Sequence, residues 1–168
     1  MVDALTYAVR SVHILAGVTW IGGLVYAGFV VGRGLMDAPP AVRAQAMARI
    51  GPRGFRLLTW SGAVTIVFGV ANQLLIAQKV QPPPGWHMVL GIAFLLSLAM
   101  MGLAGAVVGP ALKKMAALPP PPAGAPPGPP PPEALRLQKR LMVSSIAGIL
   151  MGAVSVLLMV YATKLRVY

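Results

Sequence analysis

Four long runs without charged residues divide the chain, at 11–32, 57–78, 85–112 and 141–163. Each is long enough for a helix to cross the roughly 30 Å hydrocarbon layer, which takes about 20 residues. Backbone N–H and C=O groups find no water there, so helix is the conformation each run predicts. The first run extends back to about residue 5 and places Arg10 at the interface. It is too long, and lacks the cleavage site, for a removable signal peptide. The predicted spans are about 5–32, 57–78, 85–112 and 141–163. Together they give an all-α, four-helix up-down bundle in one membrane domain covering residues 1–168.

The connectors carry the charge. Between spans one and two lie Arg33, Arg43, Arg49, Arg53 and Arg56; between spans three and four lie Lys113, Lys114, Arg136, Lys139 and Arg140. The other side has Arg10, Lys79, Lys164 and Arg166. Ten basic residues against four place the two long connectors in the cytoplasm and both termini on the outer side, by the positive-inside rule. Residues 41–50, framed by Pro39-Pro40 and Gly51-Pro52, read as a short amphipathic helix on the inner surface. Residues 118–132 are almost all Pro, Ala and Gly, which predicts a stiff polyproline spacer on the cytoplasmic side. No internal repeat stands out, and the two halves do not match as inverted copies.

Composition narrows the chemistry. Of 168 residues, 57% are hydrophobic and 10% charged, with a mean hydropathy of +0.77, whereas soluble domains are about 25% charged. The net charge of +11 sits at span ends, as topology requires, and is no nucleic-acid footprint. Without cysteine there are no disulfides, thiolate metal sites or cysteine nucleophiles. Asp3, Asp37 and Glu133 are terminal or in connectors, so paired-carboxylate catalysis is disfavoured. Small residues recur at helical spacing: Ser144, Gly148, Gly152 and Ser155 in span four, Gly105 and Gly109 in span three, and Ser61, Thr65, Gly69 and Gln73 in span two. Such seams allow close helix packing in lipid.

The two histidines are the candidate ligands. His13 lies early in span one and His87 at the start of span three, after Pro82-Pro83-Pro84-Gly85-Trp86. Both spans run in the same direction, so both imidazoles fall near the outer face, where a neutral ring can ligate haem or a metal. Gly17 and Trp20 follow His13 on its helix face; Arg10 sits one turn outward; Met88 and Met159 reach the same level. Glycine beside a histidine leaves room for a macrocycle or for another backbone. The alternatives are an interfacial role for His87 beside Trp86, and a hydrogen bond from His13 to a neighbouring helix carbonyl.

The string His13-Ile-Leu-Ala-Gly-Val-Thr-Trp20-Ile-Gly-Gly-Leu24 resembles the first helix of the copper-resistance protein D-like (CopD-like) membrane domain. The wider group is similar to the four-helix HemJ-type protoporphyrinogen oxidases. That resemblance implies His13 as a ligand of haem b. The HemJ-type proteins carry a lysine soon after a tryptophan at the start of helix three. Here the stretch reads Trp86-His-Met-Val-Leu90, which disfavours protoporphyrinogen oxidation and offers His87 as a replacement ligand. In the copper case His13 and His87, with Met88 or Met159, would hold the metal. The expectation is a small protein of the bacterial cytoplasmic (inner) membrane that binds haem b, or copper, near the periplasmic face. It would serve electron transfer, with a quinone or external carrier as partner, or metal handling. The alternative is a cofactor-free accessory subunit of a larger respiratory or photosynthetic complex.

Overall fold

Asp3 starts the first helix by accepting the Thr6 backbone N–H at 2.9 Å, one of the donors a helix start leaves unpaired. The computed structural model describes residues 3–79, 81–118 and 131–165, and these are all-helical. The order is α1 (Ala4–Tyr26), a π turn (Ala27–Val31), α2 (Gly32–Met36), α3 (Pro40–Ala77), α4 (Trp86–Leu103), a second π turn (Ala104–Val108), α5 (Gly109–Ala117) and α6 (Pro132–Leu165). Four stretches are long and apolar enough to span a membrane: Ala4–Leu35, Gln45–Ala77, Trp86–Ala117 and Pro132–Lys164. The chain is a multi-pass membrane protein whose spans face lipid. Of the proline-rich connector, residues 119–130 lie outside the described residues, as does Arg166.

Residues 41–50 are helical, but they form no separate surface helix. They are the first turns of α3, which runs unbroken through Pro52. The proline removes only its own bond to the Ala48 carbonyl, a loss that a packed membrane helix can absorb. The helix before it is supported from the side: a methyl added at Gly51 would stand 3.9 Å from Leu112 Cδ2 on α5. Between α3 and α4, Pro82-Pro83-Pro84 cannot continue a helix. Gly85 then turns the chain at φ 82°, a left-handed conformation natural to glycine, and α4 begins at Trp86.

The closest partnerships are α1 with α3 and α4 with α6. Contacts of α1 with α6 and of α3 with α4 close the ring. The bundle is thus two hairpins side by side, with α1 and α4 on one diagonal. Ser144, Gly148, Gly152 and Ser155 are all buried, as their seam predicts. Gly105 is exposed with nothing close to it, so in span three only Gly109 serves packing, against Phe55 of α3.

A repeat does exist, although no fixed period reveals it. Both π turns arise in the same sequence, Ala27-Gly-Phe-Val-Val-Gly32 and Ala104-Gly-Ala-Val-Val-Gly109. The returning spans share Gly62-Ala-Val-Thr65 and Gly152-Ala-Val-Ser155. Both hydroxyls are buried and bond back along their own helix, Thr65 to the Ser61 carbonyl at 2.7 Å and Ser155 to that of Met151 at 2.9 Å. Each glycine receives side chains from spans one and three together: Trp20 and Met101 at Gly62, Ile21 and Met100 at Gly152. The two hairpins therefore share these motifs at corresponding places. The longer proline-rich connector offsets the second pair of motifs and hides the repeat from a search by period.

Candidate functional site

His13 sits on α1, half-buried, with its ring laid over α3. Its Nδ1 is 2.8 Å from the carbonyl oxygen of Thr65. A carbonyl only accepts, so Nδ1 carries a proton, and in the neutral ring Nε2 is the nitrogen with the lone pair. The approach requires a glycine: a methyl at Gly69 would stand 2.8 Å from His13 Cε1 and 3.0 Å from Nδ1. Farther along, Gly17 faces the Thr65 methyl, with 3.6 Å between an added Cβ and Thr65 Cγ2. Trp20, 5% exposed, lies over Gly62, where an added Cβ would be 2.7 Å from its ring. Gly23 then receives Leu58. The pairs 13–69, 17–65, 20–62 and 23–58 form one antiparallel zipper in which glycines alternate between the two helices.

The other predicted ligands lie elsewhere. His87 is exposed on α4, across the diagonal from α1, and its ring meets Trp86 edge-on at 5.0 Å and 80°. Trp86 is buried with Val89 and Ala162, so the tryptophan anchors a core cluster at this end of the bundle while the histidine is exposed. Met88 and Arg10 are exposed and Met159 is half-buried. Among the described residues, no three or more His, Asp or Glu side chains gather to hold a metal ion. Near the same end, Asn72 has its Oδ1 buried without a hydrogen-bond partner.

Sequence reasoning missed a clasp at the end of the bundle that holds the N-terminus of α1. Lys79, just beyond α3, pairs with the Asp3 carboxylate and donates to the Thr6 hydroxyl at 2.7 Å. No motif flags it, because the partners are 76 positions apart. The Lys79 ammonium, helped by the Thr6 hydrogen bonds, holds the Asp3 carboxyl well below the usual carboxylate range. A lowered folded value contributes stability above about pH 4 and loses it progressively as pH falls further. Asp3→Asn is thus expected to lower the melting temperature slightly at neutral pH. The effect is small because both groups are largely exposed. The gap between variant and parent should narrow as acid is added below about pH 4. A gap that does not change with pH would show that the clasp carries no stability.

A family model described as a domain of unknown function, DUF4149, matches residues 15–119. The chain belongs to the DUF4149 family. The match takes in Gly17, Trp20, His87 and Met88, and leaves out Arg10, His13, Met159 and all of α6. No curated protein and no solved structure matches this DUF4149 chain.

Proposed function

We propose that this DUF4149 chain is a cofactor-free accessory subunit of a larger membrane assembly. It would lie in the bacterial cytoplasmic membrane with both termini outside. The supporting observation is the use made of the His13–Gly17–Trp20 face. Each of the three contacts α3, so the room that glycine leaves is filled by a neighbouring helix. The resemblance to the CopD-like and HemJ-type proteins implies haem b between His13 and His87. The residues do not fit a slot shared by those two rings: α3 closes the glycine face, and His87 is exposed on the diagonal helix.

One observation favours a second reading, in which His13 ligates copper or a haem iron through Nε2. Ligating histidines are typically oriented by donating the other ring N–H to a carbonyl or carboxylate, as His13 donates to Thr65.

Two measurements separate these readings. The detergent-purified protein, from cells supplied with haem and copper, is expected to show no reduced-minus-oxidised visible spectrum and no stoichiometric metal. In a mild-detergent extract of native membranes it should migrate in a complex well above its own mass. A b-type spectrum or bound copper that is lost in His13→Ala would overturn the accessory reading in favour of the second. Migration as a lone chain would also overturn it.

A further inference from the structure

We propose that the connector end of α6 is a binding site for the phosphate headgroup of an acidic phospholipid. Arg136 and Arg140 stand one helical turn apart, and Lys139 lies beside them. Like charges at this spacing repel unless an anion lies between them. Neither arginine has an ion pair among the described residues; the pair of Lys79 with Asp3 lies at the opposite end of the bundle. Glu133 borders the same cleft and pairs with neither arginine. Lys114 reaches the cleft from α5, and Leu137, 6% exposed, forms part of its lining.

Ser144 supplies the independent observation. It lines an open surface depression of about 320 Å³ together with Arg136, Lys139, Arg140 and Val143. It is 7% exposed, and its hydroxyl has no hydrogen-bond partner among the described residues. The other buried hydroxyls in the body of the bundle, Ser61, Thr65, Ser97 and Ser155, all bond back to their own helix. Ser144 is thus a largely covered residue whose hydroxyl is unpaired and open to a group bound against this lining.

The position selects a lipid. The apolar run of span four begins at Leu141, so Arg140 marks the boundary between headgroup and hydrocarbon. From Arg136 to Ser144 the helix rises about 12 Å. Guanidinium forks suit the oxyanions of a phosphodiester, and basic pockets between helices at the inner membrane face suit acidic headgroups. One turn deeper, the Ser144 hydroxyl can donate to a glycerol-ester oxygen, while exposed Val143 lies along the acyl chain. Inorganic phosphate shares the oxyanion chemistry but makes no use of Ser144 or Val143.

The test uses the full-length protein, delipidated in a neutral detergent. Native mass spectrometry and thermal unfolding would follow the addition of phosphatidylglycerol, phosphatidylcholine or inorganic phosphate. Phosphatidylglycerol is expected to bind one per chain and raise the melting temperature, and the other two to do neither. Arg136→Gln with Arg140→Gln should weaken the lipid at least about tenfold. Ser144→Ala, which leaves charge and packing nearly intact, should weaken it several-fold. Arg49→Gln with Arg53→Gln removes the same charge from the other connector and should leave binding unchanged. Phosphate that stabilises or displaces as well as the lipid does would make this a soluble-anion site and overturn the proposal. Equal losses in the control pair would reduce it to general attraction by basic connectors. Unchanged binding in Ser144→Ala would remove the specific site even if the arginine pair proved too unstable to study.

Discussion

Trp20→Ala is expected to destabilise the bundle by about 3 kcal/mol, the lower end for removing a tryptophan from a packed core. The lower end applies because lipid is as apolar as the protein interior, so what is lost is packing rather than hydrophobic transfer. Trp20 is 5% exposed and lies over Gly62, at the point where α1 meets α3 and Met101 arrives from span three. Its loss opens a cavity that the backbone cannot close without bringing two helices together. Denaturant or thermal unfolding in mixed micelles reads the change. A shift below about 1 kcal/mol would place the ring outside the packed interface.

The second large effect comes from the opposite side of that contact. Gly62→Ala puts a methyl 2.7 Å and 2.9 Å from carbons of the Trp20 ring and 2.8 Å from Met101 Cε. The methionine end can swing away, but the indole is held and must shift as a body. Overpacking of this kind costs about 1–3 kcal/mol. The informative experiment is the double variant. With Trp20 already alanine, the new methyl has room, so Gly62→Ala should cost much less than it does alone. Additive losses would mean that the two sites are not in contact.

The spans were legible because charge-free runs of membrane length admit one solution. Their ends were not. α6 begins at Pro132, nine positions before its apolar run, because hydropathy does not see helix that continues into water. For the same reason the amphipathic segment at 41–50 could not be distinguished from the start of span two. The His13 face was also partly legible. Spacing put His13, Gly17 and Trp20 on one side of a helix, and they do lie on one side. What occupies that side depends on which helix lies opposite, and periodicity within one helix carries no such information. Thr65 is the clearest case: its backbone carbonyl holds His13, and a carbonyl has no side-chain signature. Ser144 was visible as a small seam residue, but its unused hydroxyl emerges only once Ser61, Thr65, Ser97 and Ser155 have each found a carbonyl.

The two π turns add an inference about mechanics. Before its turn, span one is zipped to α3; within it, Gly28 lies against Ile149 and Ser145 of α6. Span three packs on α6 along its whole length and adds a contact with the other hairpin at Gly109, just past its turn, which meets Phe55 of α3. Each odd-numbered span therefore packs on its own hairpin partner and is also braced against the other hairpin at or just past its π turn. A π turn carries one residue more than the α-helical turn it replaces, and its ladder is the weakest length of the rod. Any shear or twist between the hairpins loads those two five-residue segments first. Compliance of the bundle is thus expected at these two joints, and a neighbour pulling on the connector end would bend the molecule there.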